Sequence, residues 1–533
     1  DIINGVNRVD RLTFKGKKRL LITLTAFMCS LAALSVRVGY IMLTKDEEYQ
    51  NKAYEQQTRD RLITPKRGSI LDRNGVGMAV TESVSSVSVI HAQIKDKEAT
   101  ATALSEILEL DYDDVLEDIE ERVALKRIKT KVDNETAAEI RALELPGVMI
   151  DEDIERTYPY CTLAANVIGF VGKDNQGIIG LESKYEDYLK GKAGKILTQT
   201  DSKGLRVSDA EERVEPISGD NLVTSIDVVI QQYAEQEIKA AVEAKGAKSG
   251  LIIVMNPQNG EIYAMANYPT FDLNEPFTIN DPELAKAWDT FTSEEKNDYL
   301  NRMWRNKAIN DTYEPGSTFK IVTASAGLEE GVIDESTMVE CDGVFDKVDP
   351  PLKCWNHAGH GAVNGVDSAL KNSCNDYLCE VSYRLGMIDN DEFSDKQALH
   401  YIQEYAKMFD LDEKSGIELT ESKPKITDNY AIPSAIGQGT NNFSTVQLGR
   451  YVTTLANEGT SFQLSLIDKI DGVETSPKWK ARLKSIKEAG KESMQVWNYM
   501  LKARGYLMDF QYRLQENQVQ LKKLRIDRIM VYL

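Results

Sequence analysis

Positive charge is in short supply. The 64 Lys and Arg face 84 Asp and Glu, a formal charge of −20 over 533 residues. Phosphate binding needs clustered cations, so the bulk of the chain is excluded from nucleic-acid recognition. Histidine is scarcer, at four residues, and His91 and His400 stand alone as ordinary surface or core residues do. Only His357 and His360 lie near cysteines, of which there are six. No internal repeat is present, which argues against a solenoid or propeller.

What remains is substantial. Hydrophobic residues make up 42%, enough to bury a sizeable core in about three or four domains. The charge is unevenly spread. Residues 1–19 hold six Lys or Arg against two Asp, a net of +4, and from Lys478 onward thirteen Lys or Arg face five Asp or Glu, a net of +8. Removing both from the total of −20 leaves −32 for residues 20–477. The two ends are chemically unlike the body.

The first end reads as a cytoplasmic basic segment (1–19) before a transmembrane helix (20–43). LLITLTAFMCSLAALSV, residues 20–36, is seventeen residues without a charge; Arg37 interrupts before VGYIML. A helix of about 20 residues spans the hydrocarbon core, and one arginine near its end snorkels to the interface. The basic flank places the N-terminus in the cytoplasm and the bulk outside it. The competing reading is a cleaved signal peptide, but the run is long for one and no cleavage pattern stands out.

Beyond the anchor, residues 47–62 read as a polar helix and 83–92 as a strand. Asn74-Gly75 is a hairpin-turn signal, 98–145 is acidic and helix-rich, and an amphipathic helix is expected around Leu181 to Leu189. An Asp-, Glu- and Gly-rich linker is expected up to about 220. A second domain opens at 221 with a strand and a long helix. SGLIIVMNPQNGEIYAMANYP (249–269) gives the clearest hairpin signal, two apolar runs around Asn256-Pro257 and Asn259-Gly260.

EPGSTFK, 314–320, carries the chemistry. S-x-x-K occurs four times, at Ser293, Ser317, Ser368 and Ser422, and about two matches arise by chance in a chain this long. Only Ser317 follows Pro-Gly and precedes an apolar helical run. A helix N-terminus favours negative charge, and Lys320 lies on the same face one turn on. Desolvation would lower the lysine pKa and let it take the serine proton. The plainer alternative is a capping serine with a solvated lysine. NSCND, 372–376, adds a hydroxyl and an amide, Ser373 and Asn375, as proton relay and substrate-amide holder.

EPGSTFK followed by SCN resembles the first two motifs of penicillin-binding proteins, S-x-x-K and S-x-N. TPKRGSILDRNG, IGFVG, GLESKYEDYLKGKAG, VMNPQNGEIYAMANYPTFDLN and AIGQGTNNFSTVQLGRYVTTLANEGT extend the resemblance to class B penicillin-binding proteins of the sporulation or division type, over about residues 10–472. The resemblance implies an α+β fold: a membrane helix, an elongated pedestal or dimerisation-type domain (44–220), and a transpeptidase domain (221–474) with helices around an antiparallel sheet. It implies a peptidoglycan D,D-transpeptidase without cofactor, acting on stem peptides and binding β-lactams, with a polytopic glycosyltransferase as membrane partner and no nucleic acid. Ser317 would attack the D-Ala-D-Ala carbonyl, Lys320 act as base, Ser373 pass a proton to the leaving amine, and Asn375 hold the stem peptide. The Ser317 N–H would supply part of the oxyanion hole.

The pattern then breaks. The third motif, K-T-G or K-S-G, is absent after residue 440, and the K-S-G at Lys248–Gly250 precedes the Ser317 helix. From about 474 the chain turns basic and helical in pattern, with Leu507, Leu514 and Leu521 at heptad spacing. The expectation is a partial transpeptidase domain lacking its last strands, joined to an unrelated tail (475–533) and impaired in catalysis. The alternative function is a non-catalytic scaffold in a cell-wall synthesis complex. Outside the cytoplasm a disulfide is expected, with Cys341–Cys354 first and Cys354–Cys374 as its rival. Cys341, Cys354, His357 and His360 could instead hold zinc; the reading adopted is no metal.

Overall fold

The computed structural model describes residues 14–44, 58–123, 125–200, 206–388, 392–457, 459–475, 479–482 and 530–532. The architecture is α+β. Helix α1 (Phe14–Thr44) is continuous over 31 residues and exposes Leu21, Ile22, Leu24, Phe27, Met28, Leu31 and Leu34. Among the described residues no helix is long and apolar enough to cross a membrane. The expected span, 20–43, runs beyond the part of α1 whose side chains are described, which is mainly Leu21 to Ser35.

The segment expected to be a polar helix holds a strand instead, β1 (Thr58–Ile63); residues 45–57 lie outside the described residues. The expected linker is a hairpin, β6 (Gly194–Thr200) with β7 (Arg206–Val214), and β1 pairs antiparallel with β6. Their charged sequences, TRDRLI and RVSDAEERV, show no apolar alternation. Backbone pairing across 131 positions, Ile63 to Gly194 at the near end of the register, decides the conformation. The helix expected over 181–189 is two short pieces, Gly180–Lys184 and Glu186–Leu189, broken at Tyr185.

The acidic region forms a small layer of its own. Helices α2 (Lys97–Leu108), α3 (Tyr112–Glu120) and α4 (Asn134–Ala142) are each capped by an aspartate, Asp96, Asp111 and Asp133. Such caps satisfy amide donors that the first helical turn leaves free. Leu104, Leu108, Ile119 and Ile140 pack under β3 (Gly77–Val89), which lies between β4 (Lys126–Val132) and β5 (Val148–Thr157). The Asn74-Gly75 turn joins β2 (Ile70–Leu71) to β3, with Gly75 at φ +85°.

The pedestal and the second domain share one seven-stranded sheet. Strand β2 pairs parallel with β8 (Leu222–Thr224), which pairs antiparallel with β14 (Ile467–Ile470), itself paired with β15 (Val473–Glu474). Beside this junction the Glu182 carboxylate takes Arg67 Nε at 2.6 Å and Arg156 Nε at 2.7 Å, all three side chains buried. A buried carboxylate between two guanidinium groups is costly to strand if either partner is lost.

In the second domain α5 (Val228–Lys245) starts on an Asp227 cap and ends at Gly246 in the left-handed region. It packs on the antiparallel hairpin β9 (Gly250–Met255) and β10 (Ile262–Tyr268). Period-two alternation sends Ile252 and Val254 toward Ile238 of α5, and Ile253 and Met255 to the opposite face, against Leu466 and Val446. The expectation that strands end at 474 is corrected in part. Thr460–Phe462 (β13) pairs with Trp479–Arg482 (β16), and Met530–Tyr532 (β17) pairs with β9. Strands of three or four residues leave too little alternation to read. The heptad leucines of the tail lie outside the described residues.

Candidate functional site

The site forms where two buried helices meet a third. Helix α7 (Lys320–Glu329) is buried on all sides from Lys320 to Gly327, the sign of a core helix rather than a surface one. At Gly327 an added Cβ would fall 2.5 Å from Val381 of α8 (Asn375–Leu385), so the two helices touch closely. Phe319 stacks on Phe443 at 6.3 Å between ring centres, and Tyr451 of α10 (Thr445–Ala456) donates to the Thr318 carbonyl at 3.1 Å.

Ser317 lies in a 3-10 turn, Gly316–Phe319, ahead of α7, and no side chain caps that turn or the helix. Gly316 has φ +56°, and its N–H donates to Gly437 O at 3.0 Å. A Cβ on Gly437 would sit 2.0 Å from Gly316 O. The G-Q-G stretch therefore buttresses the serine turn, a contact that local sequence does not show.

The sequence-selected side chains converge. Lys320, 1% exposed, donates to Ser373 O at 2.7 Å, Ser373 Oγ at 3.0 Å and Asn375 Oδ1 at 2.7 Å. Ser373 Oγ donates to Ser317 Oγ at 2.9 Å. The capping-serine alternative with a solvated lysine is excluded by this burial. A two-link path, Ser317–Ser373–Lys320, thus joins the Ser317 hydroxyl to the Lys320 amine. The expectation gives Ser373 to the leaving group; in the structure it stands between the hydroxyl and the amine. It adopts φ +49°, uncommon for a side-chain-bearing residue, and this turns both its carbonyl and its hydroxyl toward Lys320. Asn375 donates from Nδ2 to Lys353 O at 3.1 Å, so both ends of its amide are engaged.

Burial is the main influence on Lys320 and lowers its pKa from 10.5 to about 8; nearby Cys379, Cys354 and Cys374 act weakly the other way. At that value a useful fraction of the amine is neutral near physiological pH. Ser317 itself is exposed. Trp355, missed by sequence reasoning, exposes 62% of its surface beside the site and donates from its indole N–H to Asn372 O at 3.0 Å. Its signal was a lone aromatic in a polar loop. Of the other S-x-x-K matches, Ser293 opens a surface helix, and Ser422 donates to Asn310 O.

All six cysteines are free, so the expected Cys341–Cys354 disulfide is not formed. Burial pushes the Cys341 thiol upward. Both sulfurs face the His360 ring rather than each other alone. The zinc set considered from sequence is altered too: Cys374 joins Cys341, Cys354 and His360, and His357 does not.

The penicillin binding protein transpeptidase domain matches residues 250–502, and the penicillin-binding protein dimerisation domain matches 62–224. The first match runs past the boundary at 474 expected from sequence. Stage V sporulation protein D of Bacillus subtilis is 34% identical over 422 residues, 77% of this chain and 59% of that protein. The peptidoglycan D,D-transpeptidase MrdA of Acinetobacter baumannii is 27% identical over 472 residues, 80% of this chain and 66% of that one. The chain thus spans about 60–66% of the length of these two relatives. Penicillin Binding Protein 2X from Streptococcus thermophilus shares the fold with a TM-score of 0.64 at 18% identity, covering 83% of this chain and 66% of that one. A peptidoglycan synthase complex structure gives a TM-score of 0.63 at 24% identity, covering 90% of this chain and 85% of that one.

Proposed function

Since this chain belongs to the penicillin-binding proteins, with their dimerisation and transpeptidase domains in succession, we propose that it is a serine D,D-transpeptidase of peptidoglycan. The observation that carries the reading is the buried Lys320 amine linked through Ser373 Oγ to Ser317 Oγ. The Ser317 hydroxyl attacks the carbonyl of a terminal D-Ala-D-Ala peptide. Its proton passes by way of Ser373 to neutral Lys320. The amide C–N bond breaks, the proton returns to the departing D-Ala amine, and an ester to Ser317 remains. A second stem-peptide amine attacks the ester, forms the cross-link and restores the serine. A β-lactam ring opens on the same oxygen and leaves a stable acyl-enzyme.

Residues 20–43 serve in this reading as the single membrane span. Support comes from the seventeen uncharged residues and from the apolar side chains exposed along α1. The N-terminus is then cytoplasmic and the bulk extracytoplasmic. A polytopic glycosyltransferase is the membrane partner proposed, and similarity to a stage V sporulation protein supports a role in sporulation. The absence of K-T-G after residue 440 favours a second reading, in which the fold acts as a scaffold without catalysis. Fluorescent penicillin separates the two. A covalent band on the full chain that disappears in Ser317→Ala supports the enzyme. Folded protein that never labels overturns it.

A further inference from the structure

A cavity of about 550 Å³ lies where the pedestal meets the second domain, and none of Ser317, Lys320, Ser373 or Asn375 lines it. Its size falls in the range of small-ligand sites. One wall is drawn from the pedestal, Asn166 and the segment 178–184. The other comes from the end of α6 (Ser293–Trp304), the stretch 305–310 that follows it, and Leu419–Thr420. The floor is fixed. Asn166, 6% exposed, donates from Nδ2 to the carbonyls of Met303, Trp304 and Arg305 at 3.4, 3.1 and 3.3 Å, and Asn306 donates back to Asn166 O at 3.3 Å. Gly180, φ +65°, closes the pedestal wall, where an added Cβ would meet Gly169 N at 2.6 Å. Backbone and buried amides therefore set the shape of the cavity.

The lining carries one sign of charge. Lys184 and Arg305 contribute to it, and no Asp or Glu does. Arg305 is already balanced, since its Nε pairs with Asp311. The acidic side chains nearest to Lys184 in sequence are held elsewhere: Glu182 by Arg67 and Arg156, Glu186 by Arg67, and Asp187 by Lys190. An unbalanced ammonium beside a cavity attracts an anion. Asn301, Asn310, Ser183 and Thr420 add hydrogen-bonding groups, and a side-chain amide offers the same donor–acceptor pair as a peptide unit. A sugar is a poorer match. Trp304, the aromatic residue of the lining, has its indole N–H on Pro276 O at 2.8 Å and its ring against Phe170 and Phe277, at 5.0 and 5.4 Å between centres. Its ring is committed to protein neighbours, and no carboxylate stands ready for sugar hydroxyls.

We propose that this junction cavity binds a short peptide bearing free carboxylates, with Lys184 taking a carboxylate and Asn301 and Asn310 pairing with peptide amides. The identity of the peptide rests on the transpeptidase reading: it is a peptidoglycan stem, held here without reaction. Asn310 is followed by β11 (Thr312–Tyr313), which pairs with β12 (Phe443–Ser444), and then by the serine turn. A bound stem therefore touches both the pedestal and the segment that runs into Ser317.

The test is calorimetric titration of the full chain in detergent with L-Ala-γ-D-Glu-meso-diaminopimelate. This stem tripeptide has carboxylates but no D-Ala-D-Ala, so it cannot acylate Ser317. Saturable binding is expected, unchanged when penicillin is added first. Lys184→Glu should weaken it by a factor of about 10 or more, and Asn301→Ala by a factor of about 3 to 10. Both positions are exposed, and equal melting temperatures verify the fold. Lys95→Glu, the same charge change at an exposed pedestal lysine outside the lining, should leave binding unchanged. A diazirine-bearing tripeptide should crosslink to 178–184 or 301–310. Folded protein that binds no tripeptide overturns the proposal. So do crosslinks confined to 314–320 or 372–376, or equal weakening by Lys184→Glu and Lys95→Glu. All-L Ala-Glu-Glu that binds as tightly overturns the stem assignment and points to an acidic segment of a partner protein. Penicillin labelling is scored separately. Labelled protein that ignores the tripeptide sinks this proposal alone, and folded, unlabelled protein that binds it sinks the enzyme reading alone.

Discussion

The pH dependence of serine acylation follows from the burial of Lys320. With its pKa lowered to about 8, the neutral fraction is about one hundredth at pH 6, about one tenth at pH 7, half at pH 8 and about nine tenths at pH 9. If the neutral amine takes the Ser317 proton, the second-order rate of penicillin acylation rises about ninefold from pH 6 to 7 and about fivefold from 7 to 8. Beyond pH 9 it levels off. The measurement is the labelling rate with fluorescent penicillin at subsaturating concentration, corrected for spontaneous hydrolysis. Lys320→Met keeps the length and removes the base; labelling should fall by a factor of about 100 to 10,000, and what remains should lose the rise between pH 6 and 8. A flat profile over that range in folded wild-type protein would refute the reasoning. The same burial also acts on stability. The distance between about 8 and the ordinary 10.5 corresponds to about 3 kcal/mol against the charged amine in the fold. Between those values the unfolded chain binds the proton and the folded one does not, so this contribution to stability grows as pH rises from 8 to 10.5 and is missing below 8.

Further substitutions test other parts of the site. Ser373→Gly keeps the left-handed turn and deletes the relay hydroxyl; acylation should drop by a factor of about 100 or more with little change in melting temperature. Gly437→Ala places a methyl 2.0 Å from Gly316 O; it should displace the serine turn and depress labelling, whereas an unchanged acylation rate would mean that the G-Q-G contact does not position Ser317. Glu182→Gln leaves Arg156 buried without its counter-charge, while Arg67 keeps Glu186 at 2.7 Å, and should cost about 3–5 kcal/mol in denaturant unfolding. A loss under about 1 kcal/mol would show that water reaches the pair.

Local pattern revealed more of the site than of the surrounding framework. Pro315-Gly316 before an apolar run marked Ser317 and Lys320, and one S-x-N triplet supplied Ser373 and Asn375, because these residues lie close together along the chain. The order of the Ser317–Ser373–Lys320 hydrogen-bond path was not legible. It depends on Ser373 adopting positive φ, which nothing in N-S-C-N-D signals. The Gly437 buttress depends on a contact with Gly316 across more than a hundred positions, beyond any periodicity. Strands β9 and β10 were legible because alternate apolar residues face two different layers. The β6–β7 hairpin was not, because β7 is a charged sequence without apolar alternation and pairing with β1 completes the sheet.

The seven-stranded sheet carries a consequence for anyone who divides this protein for study. A cut at 220, natural by sequence, severs β2 from β8 and leaves the excised C-terminal piece with exposed hydrogen-bonding groups along a raw flank. That fragment should be prone to stick to itself. Conversely, tension applied to the pedestal passes into the transpeptidase region as shear along β2 and β8, so the two halves will creep or break as one mechanical body.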